Sequence, residues 1–423
     1  MNVRYERCIG AELFTSGGRR ILDFLSGYCV HNTGHNHPDI VYALQQELEG
    51  YGPAMLQSHI PELAGELAQR LCERAGGRLT KAFFGSSGSE GVETAIRLCR
   101  AHTGRAGLLY ADGAFHGPTC GALSLMGDPF WRDGFGPLLP GAQGVPFGSV
   151  ADLAEALSTG RFAAFIIEPV QAEAGVRVPY AEYLRAAQAL CRRYRTLFVL
   201  DEVQTGMYRT GPFLAAQHFG LDPDIVILAK ALSGGLIPCG AVLMSDAVYH
   251  STYGSLKRAI LHPSTFSENT LAMRAGLATM DVLEGDRLGE RATILGQELR
   301  QRLTDALSEF EMVKEVRGLG LLSGIEFSAP RQLRLRIPFE AFRRIHPGMF
   351  GQVLVMHLFR DHNILAQICG NNFMVLKVAP PLVVSEAQLD EFVGAVREVV
   401  EMVHSSNVFW PEAMSLASRA LNL

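Results

Sequence analysis

Short runs of apolar residues alternate with segments of helical periodicity between residues 60 and 290. Apolar residues recur at helical spacing in 181–194 and in 286–309, which predicts two amphipathic helices. Runs rich in β-branched and aromatic residues predict β-strands at 81–85, 107–111, 163–169, 196–203, 224–230 and 240–244. Strands that alternate with helices indicate an α/β fold whose central sheet is mostly parallel and covered by helices.

The pattern changes towards both ends of the chain. Residues 16–19 predict a turn, and the apolar stretch 21–30 that follows predicts a strand. After residue 310 strand-like and helical segments are mixed, and 385–404 has helical spacing. The tail, 405–423, is compatible either with a loose helix or with a segment that docks on the body of the protein.

The length of the chain, 423 residues, exceeds what one small hydrophobic core organises, so two domains are expected. We predict a large domain at 51–290, which holds most of the strand-helix alternation. The segments 1–50 and 291–423 are predicted to form a smaller α+β domain.

Composition excludes several classes of function. Hydrophobic residues make up 48% and charged residues 19% of the chain, as in ordinary globular proteins. A net charge of −5 provides no basic field for nucleic acid, and the apolar runs are far shorter than the roughly 20 residues of a membrane span. The first ten residues lack the apolar core of a signal peptide, so we expect a cytoplasmic protein. The eight cysteines lack CxxC spacing and predict reduced thiols.

Two polar residues follow consecutive apolar runs and are candidates for chemistry. Asp201 follows one run, Lys230 follows the next, and a helix-sized interval at about 212–220 separates them. Because ligands bind beyond the carboxyl ends of parallel strands, we expect both side chains at one edge of the sheet. A lysine that forms an imine and a carboxylate that keeps a pyridine nitrogen protonated are what pyridoxal phosphate requires. Only five residues of the chain are lysines, which limits the candidates for the imine.

A loop of small residues is a candidate for binding the phosphate of that cofactor. Residues 85–100 read as a strand end, then Ser86, Ser87, Gly88 and Ser89, then a helix with a buried face. Free N–H groups and the helix dipole make a helix N-terminus favourable for an anion. Such turns are common, so the loop predicts a phosphate site only in combination with Asp201 and Lys230.

Ten ordered motifs carry a resemblance to a known family. They are GRRILDF, GHNHP, SSGSEGVETA, GAFHG, FIIEPVQAEAG, LDEVQTGMYRTG, LAKALSGGLIPCGAV, HPSTFSENTLA, RGLGLLSGIEF and LKVAPPL, and they extend over nearly the whole chain. The sequence resembles the class III aminotransferases, which are pyridoxal-phosphate enzymes of fold type I. The resemblance implies that fold, that cofactor and an obligate homodimer with shared active sites.

The resemblance also implies roles for individual residues. Lys230 resembles the lysine that forms the Schiff base and later acts as general base, and Asp201 resembles the partner of the pyridine nitrogen. The implied cofactor contacts are Val203 and Phe115 on the two ring faces, Gln204 at the 3′-oxygen, Ser87, Gly88 and Ser89 at the phosphate, His116 and Glu168 beside them, and Thr265 of the neighbouring subunit.

The substrate side departs from the amino-acid-using members of the family. Ornithine and acetylornithine aminotransferases have an arginine where this chain has Pro118, and another where it has Lys377. A lysine keeps the charge but loses the planar fork that binds a carboxylate in two places. Glu173 matches the family's glutamate that shields this cation, and Tyr28 matches a tyrosine that helps to bind substrate in the ornithine enzymes.

These observations predict a ping-pong aminotransferase. It would move an amino group between a primary amine or ω-amino compound, including large or hydrophobic ones, and a keto acid or aldehyde. Two alternatives remain open: an acetylornithine or ornithine-type aminotransferase, and a lyase, epimerase or aminomutase of the same fold. The two enzyme classes differ in how protons are delivered, which the sequence does not encode visibly.

Three further features have competing interpretations. A metal site at His31, His35 and His37 is not favoured, because the family's GHxHP element is structural and no further ligand pair follows, so we predict no metal. Arg209 is interpreted as a structural ion-pair residue rather than a substrate ligand. The arginine-rich segment 331–373 is interpreted as a helical insertion with a solvated basic face, or else as a wall for a long or anionic substrate.

Overall fold

The computed structural model describes residues 3–55, 59–259, 261–345, 348–405 and 409–420. The strands are β1 Tyr5–Ile9, β2 Glu12–Thr15, β3 Arg20–Asp23, β4 Leu79–Gly85, β5 Gly107–Ala111, β6 Ala142–Val145, β7 Phe162–Ile167, β8 Leu197–Asp201, β9 Ile225–Leu228, β10 Gly240–Ser245, β11 Val313–Leu319, β12 Leu322–Phe327, β13 Ile364–Leu365, β14 Gln367–Cys369 and β15 Asn372–Val378.

The helices are α1 Ser26–Cys29, α2 Pro38–Glu49, α3 Glu62–Ala75, α4 Gly88–Thr103, α5 Cys120–Leu123, α6 Val150–Ser158, α7 Ala181–Arg193, α8 Asp246–Tyr253, α9 Thr270–Gly285, α10 Leu288–Leu307, α11 Leu333–Ile345, α12 Met349–His362, α13 Glu386–Ser405 and α14 Phe409–Ala420. Three short 3₁₀ turns occupy Pro129–Trp131, Ala215–Phe219 and Lys230–Ser233.

The largest sheet has seven strands in the order β4-β10-β9-β8-β7-β5-β6. Strand β10 is antiparallel to both of its neighbours, whereas β9, β8, β7, β5 and β6 run parallel to one another. The central strands β7, β8 and β9 are buried along their whole length, because helices cover both faces of a parallel sheet. The predicted α/β fold with a mostly parallel sheet is confirmed.

The predicted elements of the central region are present, with their ends shifted by a few residues. The helices predicted at 181–194 and 286–309 are α7 and α10, and all six predicted strands form within the seven-stranded sheet. The interval 212–220, predicted to be helix-sized, holds only the 3₁₀ turn Ala215–Phe219.

The strand predicted at 21–30 is wrong beyond its first residues. Strand β3 ends at Asp23, whose carboxylate accepts hydrogen bonds of 2.8 Å from the N–H groups of both Leu25 and Ser26 and turns the chain. Ser26, Tyr28 and Cys29 then adopt positive φ values of 45°, 63° and 67°, which no strand allows. Apolar content alone did not reveal this local hydrogen bonding.

Two smaller sheets lie outside the central one. Strands β1, β2, β3 and β13 form the first, and β11, β12, β15 and β14 form the second. The first sheet therefore pairs the N-terminal strand β3 with Ile364–Leu365. The helix predicted at 385–404 is α13. The division into domains at 51–290, with 1–50 and 291–423 together, stays a prediction.

The C-terminal helix docks on the body of the protein. Phe409 and Trp410 of α14 are buried, and Trp410 packs against the rings of Phe339 and Phe350 from α11 and α12.

The segment 331–373 contains the helices α11 and α12, as one interpretation held, and its arginines on α11 are exposed. All eight cysteines are free thiols, five of them buried. Among the described residues, no helix combines the length and apolar character needed to span a membrane.

Candidate active site

A cavity of about 440 Å³ lies at the carboxyl ends of the parallel strands. Its size suits a cofactor or a small ligand. Ten of the predicted site residues line it, from five separate segments of the chain: Ser87, Gly88, Ser89, Phe115, His116, Glu168, Asp201, Val203, Gln204 and Lys230. Pro118 lines it as well.

Asp201 is the last residue of β8 and is buried with 4% of its surface exposed. Its Oδ1 accepts a hydrogen bond of 3.1 Å from the N–H of Val203, and its Oδ2 lies 2.8 Å from Nδ1 of His116. Burial lowers the pKa of His116, but the hydrogen bond and the charge of Asp201 outweigh this and raise it. A carboxylate has about four acceptor positions, so Asp201 keeps capacity for a donor in the cavity.

Lys230 lies two residues beyond the end of β9, at the start of a 3₁₀ turn. Its φ of 50° is unusual for a residue other than glycine, and such strain is common at functional sites. Burial at the cavity lowers the pKa of its amine, with only partial compensation from nearby groups such as Cys29 and Asp201. Within the described part of the chain no carboxylate lies within ion-pair distance of Lys230, so its amine is available to a ligand.

The loop of small residues forms the start of α4. Ser87 is the N-cap, and its hydroxyl accepts a hydrogen bond of 3.2 Å from the N–H of Glu90. The backbone here is tightly packed, because a Cβ added to Gly88 would lie 2.9 Å from Val203 Cγ2. A Cβ on Gly240 would likewise lie 2.7 Å from the carbonyl oxygen of Ser87. The start of this helix, whose first N–H groups have no partner within the helix, therefore lines the cavity at a fixed position.

Glu168 holds the backbone of Phe115 in place. Its Oε1 accepts a hydrogen bond of 2.9 Å from the Phe115 N–H, and its Oε2 accepts one of 3.3 Å from Ala172. Burial raises the pKa of this carboxyl to about 7, opposed by His116 and aided by the charge of Asp201. Glu168 thus positions the aromatic ring that lies on one side of the cavity.

A second cluster of predicted residues lies beside the cavity. The amine of Lys377, on β15, donates to Oε1 of Glu173, and both side chains are buried. Burial opposes charge on both groups, but their mutual attraction lowers the pKa of Glu173 and raises that of Lys377. The Lys377 amine also lies 4.9 Å from the ring centre of Tyr28. Gln204 connects the cluster to the cavity, because its Nε2 donates to Glu173 Oε1 at 3.1 Å.

Thr265 lies apart from these groups in this chain. It is exposed, and it does not line the cavity. Its role at the active site of a neighbouring subunit stays a prediction.

The interpretation of Arg209 as an ion-pair residue is wrong. Its guanidinium is fully buried and donates to the backbone carbonyls of Leu321 and Pro380, at 3.1 and 2.5 Å, and to Oδ1 of Asn32 at 2.6 Å. Among the described residues it has no carboxylate partner, and burial lowers its pKa. Arg209 is structural, as predicted, but through neutral acceptors.

The three N-terminal histidines have structural contacts. His35 Nε2 lies 2.7 Å from the carboxylate of Asp23, and the ring of His31 packs on that of His35 with 3.9 Å between centres. Burial lowers the pKa of His31 to about 4, and the neighbouring His35 lowers it further. The described residues contain no cluster of three ligands suited to a metal ion.

Three residues near the cavity were missed by the sequence analysis. Gly370 donates its N–H to Glu173 Oε2 at 2.8 Å, and Asn371 and Trp131 hydrogen-bond to each other at 2.6 Å. Gly370 and Asn371 lie within the segment 331–373, but their contacts with residues far away in the chain left no local signal.

The family model for class III aminotransferases matches residues 1–400. The chain belongs to the class III aminotransferase family. It is 37% identical to the aminotransferase PigE of Serratia sp. over 94% of this chain, and 36% identical to the putrescine aminotransferase of Pectobacterium atrosepticum over 93% of it. These alignments cover 50% of the PigE chain and 81% of the putrescine aminotransferase, so the chain spans about half the length of the former relative.

Solved structures agree with this membership. The omega-transaminase from Thermomicrobium roseum has a TM-score of 0.86 at 31% identity, over 95% of this chain and 93% of that one. The ornithine aminotransferase from Toxoplasma gondii has a TM-score of 0.85 at 28% identity, over 96% of this chain and 91% of that one. The class III fold therefore extends over nearly the whole molecule, as the resemblance implied.

Class III aminotransferases use pyridoxal phosphate, and the residues of the cavity fit that group. A helix N-terminus suits its phosphate, a buried carboxylate suits its pyridine nitrogen, and an amine of lowered pKa suits its aldehyde. The Oε1 atom of Gln204 is buried without a hydrogen-bond partner among the described residues. An unpaired polar atom of this kind is costly, and a bound ligand would satisfy it.

Proposed function

We propose that this chain transfers an amino group between a primary amine or ω-amino compound without an α-carboxylate and a keto acid or aldehyde, by ping-pong chemistry at Lys230. The observation that carries the substrate class is the buried pair of Lys377 and Glu173. Lys377 lacks the planar fork of an arginine, and its charge is already satisfied by Glu173. With Pro118 at the cavity, the site has little capacity to bind an α-carboxylate in two places.

The residues that line the cavity would have separate roles in catalysis and in cofactor binding. Pyridoxal phosphate, when bound, supplies an electron sink for the substrate carbon next to nitrogen. Lys230 would anchor the cofactor and, once released, move the proton, because a lowered pKa leaves more of its amine neutral and able to accept one. Asp201 would hold the proton on the pyridine nitrogen. Ser87, Gly88 and Ser89 would bind the phosphate.

The remaining predicted residues would orient the cofactor and select the substrate. Phe115 and Val203 would contact the two ring faces, and His116 and Glu168 would support Asp201 and Phe115 through the hydrogen bonds described above. Glu173 would neutralise Lys377 while an amine binds, and would turn away when a keto acid brings its own carboxylate. Tyr28 would form part of the substrate wall next to Lys377.

The reaction class can be tested by a single half-reaction. Addition of a primary amine such as putrescine to the yellow enzyme should reduce absorbance near ~420 nm and raise a band near ~330 nm, because the amino group stays with the cofactor. A keto acid should then restore the first band. A lyase of the same fold would instead release its product and return to the yellow form without any keto acid.

Replacement of Lys377 tests the substrate class. Lys377→Arg should lower the Michaelis constant for glutamate or 2-oxoglutarate more than that for a simple primary amine, because it restores a bidentate contact worth roughly 10- to 150-fold in affinity. Lys377→Met, which keeps the length but removes the charge, is the matched control and should raise the constant for 2-oxoglutarate. Steady-state kinetics with both substrates measure these changes.

An ornithine or acetylornithine aminotransferase is the second candidate. Two observations favour it: the fold matches that of an ornithine aminotransferase closely, and Tyr28 lies against Lys377. Faster and tighter use of ornithine or acetylornithine than of any plain amine by the unmodified enzyme would select this candidate and reject the first. The cytoplasmic location stays a prediction in either case.

We also propose that the active enzyme is a homodimer in which Thr265 of the partner subunit reaches the cofactor phosphate. Large apolar side chains are exposed near Thr265 in sequence, with Leu256 at 96% and Phe266 at 61%. The segment that holds Tyr51, which is 95% exposed, joins this region through a hydrogen bond of 3.1 Å from the Thr270 N–H to the Ala54 carbonyl. Exposed apolar side chains in one region support an interface between copies.

A mixed dimer tests the sharing of residues. Thr265→Val should weaken cofactor binding by about tenfold, the effect of one lost hydrogen bond to a charged group. When Thr265→Val and Lys230→Ala chains are co-expressed, each mixed dimer contains one site with an intact Lys230 and an intact partner Thr265. That site should regain the parent affinity. Sites that remain weak in isolated mixed dimers would assign Thr265 to its own chain or to no cofactor role.

A further inference from the structure

The loop at 128–138 contacts both Phe115, which lines the cavity, and the turn between β14 and β15 of the second small sheet. Its first turn is fixed by the Asp128 carboxylate, which accepts a hydrogen bond of 2.9 Å from the Phe130 N–H. Arg132 donates to the hydroxyl of Tyr110, on β5 of the central sheet, at 3.2 Å. Between these two anchors lies Trp131, which is partly buried. The loop is therefore held at both sides of the indole.

Trp131 makes contact with the residue that flanks the cavity. Its ring lies edge-on to that of Phe115, with 5.2 Å between centres and an angle of 87° between planes. Its Nε1 donates to Oδ1 of Asn371 at 2.6 Å, and Nδ2 of Asn371 donates to the carbonyl of Gly113 at 2.9 Å. The indole is thus tied to the turn between β14 and β15 on one side and to Phe115 on the other.

The same turn holds Glu173. The Gly370 N–H donates to Glu173 Oε2, and the Asn371 N–H donates to the Glu173 carbonyl, both at 2.8 Å. A Cβ added to Gly370 would lie 3.2 Å from Cζ2 of Trp131, so the indole covers this glycine closely. Trp131 consequently contacts both Phe115 and the turn whose N–H groups hold Glu173.

We propose that Trp131 is a specificity-determining residue that limits the width of the substrate next to its reacting carbon. The inference rests on the proposed function, because it takes the reacting carbon to lie by Phe115 and Lys230. A substituent that extends from there towards Glu173 and Lys377 runs alongside the indole. Because three contacts hold the indole, it does not swing aside, and the site selects slender unbranched amines against amines that are branched or cyclic at this carbon.

The experiment compares substrate ratios rather than single rates. The value of kcat/KM is measured for butylamine and for 1-phenylethylamine with the unmodified holoenzyme, Trp131→Ala and Trp131→Phe. Trp131→Ala should raise the ratio of the bulky to the slender amine by about tenfold or more, the effect of a few carbon atoms in an apolar pocket. Trp131→Phe keeps a ring in place and should change the ratio by less than half as much.

The matched control is Phe135→Ala, in the same loop. Phe135 is an aromatic residue with 66% of its surface exposed, so its removal tests whether any loosening of the loop changes selectivity. The ratio of kcat/KM for the bulky amine to that for the slender amine should be the same in Phe135→Ala as in the unmodified enzyme. An equal shift in Phe135→Ala and Trp131→Ala, or an unchanged ratio in a Trp131→Ala enzyme that still turns over butylamine, overturns the inference.

Two further measurements separate the possible failures. If Trp131→Ala does not fold, Trp131→Leu, which fills more of the space, replaces it, and the same ratio decides. If the unmodified enzyme converts no primary amine in the half-reaction, putrescine included, the proposed function fails. If it converts amines but the variants keep its ratio, only the inference on Trp131 fails.

Discussion

Lys230→Ala should abolish turnover, with a loss on the order of 10⁴- to 10⁶-fold, the range seen when a catalytic nucleophile is removed. The expectation follows from two functions in one side chain, since the same amine would anchor the cofactor and carry the proton. The amine lies at the cavity, and burial lowers its pKa, which favours the neutral form that can attack an aldehyde. Steady-state rates and cofactor content after dialysis measure the effect.

Borohydride reduction makes this experiment sharper. The reduced unmodified protein should carry the cofactor on the peptide that contains Lys230, and reduced Lys230→Ala should carry none. Lys81→Ala is the matched control, because Lys81 lies outside the cavity, where its amine pairs with Asp246 at 3.6 Å and lies 5.7 Å from the ring centre of Tyr249. Reduced cofactor attached to another lysine, or turnover by the Lys230→Ala protein, would contradict the role of Lys230 as the attachment site.

Asp201→Asn should reduce kcat on the order of 10²- to 10³-fold, the range for the loss of one preorganised electrostatic contact. The substitution keeps the shape and one acceptor oxygen, so the fold should change little. It removes the negative charge that would keep the pyridine nitrogen protonated, and with it the charge that raises the pKa of His116. Cofactor retention should fall as well, because a charge-assisted hydrogen bond is lost.

Asp224→Asn is the control for a lost carboxylate as such. Asp224 precedes β9 at the opposite edge of the same sheet, where it accepts from the Phe198 N–H at 2.9 Å and pairs with Arg78 at 2.8 Å. This variant should lose thermal stability while kcat stays near that of the parent. Asp201→Asn should instead keep its thermal stability and lose kcat. Near-normal kinetics in Asp201→Asn would assign the pyridine contact to another group.

Much of the molecule was accessible from local pattern. Runs of β-branched and aromatic residues correctly marked the strands of the central sheet, because burial on both faces demands continuous apolar residues. The order of strands then brought Asp201 and Lys230 to one edge, since β8 and β9 are parallel neighbours. Chemistry at that edge was therefore predictable from two residues and the direction of two strands.

The sequence could not predict features that depend on distant contacts. The stretch at 21–30 has a strand's composition but leaves the strand at Asp23, whose side chain bonds to the backbone ahead of it. Arg209 has the charge of an ion-pair residue, yet it donates to the carbonyls of Leu321 and Pro380, which lie 112 and 171 residues further along the chain.

The strands of the central sheet, the lysine and carboxylate beyond two of them, and the small-residue start of α4 are all visible in the sequence, because each is marked by residues close to it in the chain. What surrounds these residues depends on how the elements pack. The hydrogen bond from Trp131 to Asn371 crosses 240 positions, and that from Gly370 to Glu173 crosses 197. No periodicity records such pairs, because their geometry exists only after the sheets and loops have packed together.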